Sequence, residues 1–290
     1  MENENKKHEE SIYEFVSRFH FPIVGFKTGS NKEIFIGSCV LIRIGERAFL
    51  VTASHVMNER KNVKNKELWI LNYSDGSKFT ITGDLIGNDD ENIPTWNDVA
   101  IVELNLEEFG TFNNFDFYDN CLLGLDRIIH DLQYQASTSE DVGYLVVGYP
   151  CSKNKILKDR YRKPKLLLHL TELALSESNK SYVEDRLTLS IRWDSDNLSK
   201  EGVMLPSPHG MSGGGVWLLS NESEVNPMLY AISIAYVKGK KKLISTKMSL
   251  VLSLLKYHFP GTLLDRLELP LPIFDNDSGS SIGIPAPCQA

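Results

Sequence analysis

Ser212 stands in Pro208-His209-Gly210-Met211-Ser212-Gly213-Gly214-Gly215-Val216-Trp217, with one glycine two residues before it and an unbroken run after it. Ordering a glycine costs more backbone entropy than ordering any other residue, so such a run needs a reason. Nucleophilic chemistry supplies one. If Ser212 Oγ attacks a carbonyl carbon, the carbonyl oxygen becomes an oxyanion that needs donors already aimed at it. The amides of Gly210 and Ser212 are placed to be those donors.

Three other readings compete for this stretch. A phosphate-binding loop would carry a Lys-Ser/Thr pair and open a helix, whereas Val216-Trp217-Leu218-Leu219 reads as a strand and the loop has no lysine. Gly210 to Gly214 also fits the nucleophile elbow of an α/β-hydrolase, but that fold needs an acid and then a histidine after the serine. Between Ser212 and the only later histidine, His258, there is no aspartate. A plain glycine-rich turn stays open on this stretch alone.

A serine hydroxyl is a poor nucleophile at neutral pH. It needs a base, usually an imidazole, and the imidazole needs a carboxylate to set its tautomer and stabilise its charged form. His55 stands out among seven histidines because it follows the apolar strand Ala48-Phe49-Leu50-Val51 through Thr52-Ala53-Ser54. That is where such a strand would leave a barrel, although an ordinary loop histidine is the competing reading. His8 lies in a polar leader, His258 in a terminal helix, and His169 in a leucine-rich strand where a core or surface role is favoured. The carboxylate candidate is Asp98 in Trp96-Asn97-Asp98-Val99-Ala100-Ile101-Val102. An acid directly before a buried apolar strand is costly unless hydrogen-bonded; a capping or turn aspartate is the alternative. Asp89 and Asp90 sit in a polar loop and are weaker candidates.

The elements that must position these residues read almost entirely as strands. A short helix is expected over Glu9 to Phe19, from Ile12, Phe15, Val16 and Phe19, ended by Pro22. Six strands follow: Ile23 to Lys27, Ile34 to Ile44, Ala48 to Thr52, Glu67 to Tyr73, Lys78 to Ile86 and Val99 to Leu104, with turn signals at Gly45-Glu46 and Asp75-Gly76. Asn105 to Glu140 reads as a crossing between lobes with a helical turn around Leu122 to Leu132. A second set of six comprises Gly143 to Gly148, Lys165 to Leu175, Leu187 to Trp193, Gly214 to Leu219, Leu229 to Val237 and Lys242 to Lys247. A helix after Ser249 ends at Pro260. Leu263 to Leu271 docks on a lobe or on a partner, a choice the sequence leaves open, and the tail from Asp275 is expected to be mobile.

The expectation is therefore an all-β chain of two six-stranded antiparallel barrels with a short helix at each end. Its parts are a leader over 1–19, a first barrel over 20–115, a linker over 116–140, a second barrel with the C-terminal helix over 141–258, and a tail over 259–290. A net charge of −7 gives no basic footprint for nucleic acid. Lys238, Lys240, Lys241 and Lys242 read as a solvated hairpin tip. No apolar run is long enough for a membrane span, and the polar N-terminus has no signal core, so a cytoplasmic location is expected. Cys39, Cys121, Cys151 and Cys288 are scattered, which suits reduced thiols rather than disulfides or a zinc site.

Thr52-Ala53-Ser54-His55, Asn97-Asp98-Val99-Ala100-Ile101 and Gly210-Met211-Ser212-Gly213-Gly214 resemble the three signature blocks of the trypsin-like, chymotrypsin-fold serine peptidases, in that family's order. Gly37-Ser38-Cys39-Val40-Leu41-Ile42 resembles the strand ahead of the histidine. Val146-Val147-Gly148-Tyr149-Pro150 is similar to the first strand of the second lobe in bacterial, HtrA-like members. The likeness runs from about residue 20 to 258, with intervals of 43 and 114 residues across the triad.

The resemblance implies a serine endopeptidase in which His55 and Asp98 come from the first barrel and Ser212 from the second, with Gly210 and Ser212 as the oxyanion hole. It implies no metal and no organic cofactor. Substrate would lie between the lobes, pairing along Ile232 to Tyr236 as an added strand. His209, Pro206, Ser233, Ala235 and Ser245 fall near the first specificity pocket, with Leu205 and Lys247 beside them. The set has no aspartate of the trypsin kind, and Lys247 is expected to point to solvent rather than select an acid.

Departures from the family are equally informative. Val56 replaces the cysteine that follows the histidine in secreted trypsins. Met211 replaces the aspartate that captures a new N-terminus on activation. Ile23-Val24-Gly25 therefore mimics a trypsin N-terminus without its charge partner, and removing residues 1 to 22 should bring no gain in activity. A disordered loop over Pro208 to Gly215 is one route by which activity could be controlled. The expected partners are a peptide or protein substrate and a regulatory protein, as for the proteolytic effector of a larger prokaryotic, defence-type system. The competing class is a protease-like peptide-binding module that has lost catalysis.

Overall fold

The computed structural model describes residues 2–72, 76–87, 98–105, 107, 121–129, 142–154, 164–171, 187–194, 205–220, 227–267, 269, 273–274 and 282–283. Among them, helix α1 (Glu2–Ser17) leads into strands β1 (His20–Phe26), β2 (Glu33–Ile44) and β3 (Arg47–Thr52). A short helix, α2 (Ser54–Asn58), then precedes β4 (Trp69–Leu71), β5 (Lys78–Thr80), β6 (Leu85–Gly87) and β7 (Ala100–Leu104). These strands form one curled sheet in the order β5-β4-β1-β2-β3-β7-β6. The expected strand Lys78 to Ile86 is present as two pieces, β5 and β6, because the chain turns a corner between them to reach β7. Gly83 at that corner lies so close to β7 that an added Cβ would overlap the Glu103 carbonyl. An eighth strand, β8 (Leu123–Gly124), pairs parallel to β2 through Ile42 and Leu123.

All six strands expected in the second half are found: β9 (Val142–Gly148), β10 (Leu167–Thr171), β11 (Thr188–Arg192), β12 (Gly215–Ser220), β13 (Met228–Val237) and β14 (Lys242–Lys247). They form an antiparallel sheet in the order β10-β9-β12-β13-β14-β11. Thr171 Oγ1 donates to Arg192 O at 2.8 Å, which brings the two edge strands of this curled sheet together. Helix α3 (Met248–His258) follows. The described residues are thus mainly β, in two large sheets that are antiparallel apart from the β2–β8 pair, with a further two-stranded pair, Ile273–Phe274 with Ile282–Gly283, near the C-terminus.

Side-chain alternation explains why β9 and β12 read as unbroken apolar runs. Tyr144, Val146, Val216 and Leu218 face one core together with Leu189, Ile191, Trp193 and Tyr230. The alternate residues Leu145, Val147 and Trp217 join the larger core that holds Phe21, Val40, Leu50 and Ile101 of the first sheet. A strand apolar on both faces is what a position between a barrel interior and a neighbouring lobe demands. Residues 248–255 of α3 are all buried, and Phe259 packs on Phe49 with ring centroids 5.1 Å apart.

Several details correct the sequence reading. Helix α1 starts at Glu2, since its first turns carry Glu and Lys, good helix formers that an apolar period does not reveal. It ends at Ser17 because the Phe19 carbonyl already accepts from Leu41 N at 3.0 Å, the start of the β1–β2 ladder. Pro22 therefore lies inside β1, opposite Ser38. Strand β4 joins only from Ile23 onward, so the missing Pro22 N–H falls before that ladder begins.

The turn near Leu122 to Leu132 is one 3-10 turn, Leu125–Arg127, and residues 130–132 lie outside the described residues. Ile129 N donates to Leu229 O at 2.9 Å, so this stretch bonds to the second sheet as well as the first. Leu264 and Leu269 are buried against the larger core and Lys256 Nζ donates to Leu267 O at 2.8 Å, which docks the segment after α3 on the body of the chain. Most of the tail from Asp275, Cys288 included, lies outside the described residues, as do the expected boundaries at 115/116 and 140/141. Cys39, Cys121 and Cys151 form no disulfide with one another. No helix among the described residues is long and apolar enough to cross a membrane.

Candidate active site

Strands β3 and β7 are antiparallel neighbours, with Thr52 paired to Ala100. The end of β3 and the start of β7 therefore lie at the same edge, and this brings His55 and Asp98 together. Asp98 Oδ2 is 2.5 Å from His55 Nδ1, and Asp98 Oδ1 accepts from the His55 amide at 2.9 Å. The Asp98 carbonyl also accepts from Ser54 N at 3.3 Å. One carboxylate thus holds both the ring and the backbone of the histidine, which favours the tautomer with its proton on Nδ1, donated to Asp98, and leaves Nε2 as an acceptor. The imidazole is half exposed, at 51%, against 23% for the Asp98 side chain.

Ser212 comes to the first lobe through its backbone. Its carbonyl accepts from Ser38 N of β2 at 2.8 Å. Gly37 fills the space between Ser212 and the residue after His55. A Cβ there would lie 2.7 Å from the Val56 methyls and 3.1 Å from Ser212 O. Among the described residues, Ser212 Oγ makes no hydrogen bond to His55. Such contacts are often long until a substrate closes the site.

The peptide groups around Ser212 are individually held. His209 O accepts from Cys151 N at 2.8 Å, and Met211 O accepts from Gly214 N at 2.8 Å. Because C=O and N–H point in opposite directions across a planar peptide, these bonds turn the amides of Gly210 and Ser212 the other way. Neither amide has a bonded acceptor among the described residues, whereas Met211 N between them is occupied by Pro208 O at 2.8 Å. Gly210 has φ +92° and Gly213 φ +85°. A Cβ at Gly213 would overlap both the Ser38 carbonyl oxygen and Thr52 Oγ1, so the turn fits beneath the first lobe only as glycine. The loop suggested as a disordered control element is thus held by hydrogen bonds at His209, Gly210, Met211, Ser212, Gly213 and Gly214 in this structure, with the Gly210 and Ser212 amides left over.

Of the residues expected to meet substrate, His209 is exposed and Pro206 and Ala235 are part-exposed, while Ser233 and Ser245 are fully buried opposite each other on β13 and β14. Ser233 N and O are taken by Gly214 O at 2.8 Å and Gly213 N at 2.7 Å. Ile232 pairs with Gly215, so the edge of β13 that β12 leaves unpaired starts only beyond Ser233. Lys247 does not point to solvent as expected. It is 8% exposed, with Nζ 5.8 Å from the Tyr230 ring centroid.

Met211 is fully buried in the second core, where the trypsin-like pattern has its aspartate. Ile23 pairs with both Gly37 and Ile70 inside β1, so Ile23-Val24-Gly25 is interior strand rather than a chain end.

Three positioning residues escaped the sequence reading. Ser38, Thr52 and His20 all bond to or beside the serine loop, and the only hint was a small polar residue next to Gly37 and a histidine at a strand start.

No family model matches the sequence, and no curated protein matches it. Among solved structures the chain is similar to the protease Anisep from Arthrobacter nicotinovorans, with 15% identity over 79% of this chain and 90% of that one and a TM-score of 0.44. It is also similar to a serine endoprotease from Yersinia pestis, with 11% identity over 83% of this chain and a TM-score of 0.46. The match spans 63% of that protein's length.

Proposed function

We propose that the protein is a serine endopeptidase working through His55, Asp98 and Ser212. The observation that carries this reading is an imidazole gripped on ring and backbone by one carboxylate, beside a glycine turn whose serine amide and Gly210 amide are uncommitted. Ser212 Oγ attacks the scissile carbonyl and passes its proton to His55 Nε2, and the C=O π pair moves onto oxygen. The Gly210 and Ser212 amides receive that oxyanion. When the intermediate collapses, His55 protonates the departing amine and leaves an acyl-enzyme. Water attacks it with His55 again as base, and the acid product leaves with Ser212 restored. Asp98 orients the ring and offsets its charge without itself taking the proton.

The substrate is an extended peptide that adds to the unpaired edge of β13 near Ala235. Pro206, His209 and Ala235 would form the rim of the first pocket and Ser233 and Ser245 its floor. This set holds no acid, so selection for Arg or Lys is not expected. As the proteolytic effector of a larger defence-type system, the chain would be restrained by access to the groove, since both amides already face away from their held carbonyls.

A fluorophosphonate probe tests the reading: labelling of the wild type and none of Ser212→Ala is expected. Labelling that survives the substitution moves the nucleophile elsewhere. A folded wild type that is never labelled leaves a peptide-binding module.

A further inference from the structure

Ser38 lies at the centre of β2, wholly buried, and is bonded on four sides. Its hydroxyl oxygen accepts from Tyr149 N at 2.9 Å, and its one proton goes to Gly210 O at 2.8 Å. Its amide donates to Ser212 O at 2.8 Å, and its carbonyl accepts from Thr52 Oγ1 at 2.7 Å. Thr52 ends the strand that delivers His55. One residue of the first lobe therefore touches the peptide before Met211, the peptide after Ser212, the residue that follows β9 of the second sheet, and the histidine strand.

Resting on the peptidase reading above, we propose that Ser38 is a positioning residue that keeps the Gly210 and Ser212 amides converged on the oxyanion. The carbonyls on either side of the Met211–Ser212 unit, those of Gly210 and Ser212, are both held by Ser38. Gly210 at φ +92° has no Cβ to resist rotation of the next peptide. Without the Ser38 hydroxyl the buried Gly210 carbonyl loses its side-chain donor, and a buried acceptor without a partner turns toward another. Rotation at Gly210 shifts the two amides off their common focus. The loss is felt where charge develops on the carbonyl oxygen, not where the peptide merely binds.

The test compares Ser38→Ala with wild type, counting rates per fluorophosphonate-titrated site so that only folded enzyme is scored. A direct oxyanion donor is worth roughly 10²–10³ in kcat, and an indirect one is expected to cost about tenfold or somewhat more, with KM changed less than about threefold. A peptidyl boronate, whose tetrahedral adduct puts a negative oxygen between the amides, should lose affinity by the same factor as kcat/KM. The C-terminal cleavage product, which carries the new amine and not the attacked carbonyl, should bind as before. Equal losses for boronate and product, or an unchanged kcat, overturn the proposal and reduce Ser38 to a fastener between lobes.

Should Ser38→Ala fail to fold, the wild-type boronate adduct decides. The expected structure keeps Ser38 Oγ on Gly210 O with both amides on the boronate oxygen, and an adduct in which that carbonyl has left Ser38 overturns the assignment. Failure of the peptidase reading itself shows in the unmutated protein, as absence of both labelling and boronate binding, and this proposal then falls with it.

Discussion

His20 Nε2 accepts the amide of Gly215 at 3.1 Å, with Trp217 Nε1 a second donor at 3.4 Å, while Nδ1 donates to Val16 O at 2.8 Å. The ring is completely buried, and burial pushes its pKa down to about 4, opposed by the Val16 bond. A proton on Nε2 would face two other donors.

This arrangement predicts an acid limb of stability. An unfolded histidine titrates near 6.5, so between about 6.5 and 4 the unfolded chain takes up a proton that the native ring refuses. The contribution is complete above about pH 6.5 and declines as pH falls toward 4, by on the order of 3 kcal/mol in total. Thermal midpoints measured across that range should fall for the wild type. His20→Gln should start lower at pH 7 and run flatter. Parallel slopes for the two proteins would contradict the assignment.

Asp98→Asn should leave the fold intact, because an amide oxygen can still accept from His55 N. An amide NH₂ facing Nδ1 selects the wrong tautomer, and kcat is expected to fall about 10⁴-fold with little change in KM. Steady-state kinetics beside a melting curve separates this from unfolding.

Removal of residues 1–17 strips Phe15 and Val16 from the second lobe, where Phe15 meets Trp217 at 6.1 Å between centroids. The buried Val16, the half-buried Phe15 ring and the His20 bond are together worth about 3 kcal/mol. The truncated chain should melt earlier, show altered tryptophan emission and gain no activity. A rise in activity would instead identify the leader as an inhibitory segment.

Gly213→Ala forces a methyl into the Ser38 carbonyl and Thr52 hydroxyl at a φ of +85°. The serine turn must then leave the first lobe. Activity is expected to drop at least about a hundredfold and stability by about 3 kcal/mol or more; near-native kinetics would show that the turn is less confined than its contacts indicate.

Apolar runs between turn signals were enough to locate every strand described in the second sheet, whereas His55 and Asp98 were joined only through their resemblance to the blocks of a known family, since each alone also reads as an ordinary loop histidine or a capping aspartate. Lys247 went the other way. A lysine reads as a surface residue unless the partner ring, here Tyr230, is known to lie beside it. Ser38 and His20 were illegible for a related reason: each acts on backbone groups far away in sequence, 172 residues in the case of Ser38 and Gly210, and Thr52 reaches the serine loop only by way of Ser38. Such bonds leave no local pattern. The split of Lys78 to Ile86 was hidden because a strand that bends keeps its composition.

The strap between the lobes has one further effect. Leu123 is laddered to Ile42 of the first sheet, and a few residues later Ile129 is bonded to Leu229 of the second. The two halves are therefore bonded to the same short connecting stretch. For the peptidase proposed above, a joined pair of lobes would favour segments that arrive already unravelled over several residues, such as slack surface loops and frayed ends.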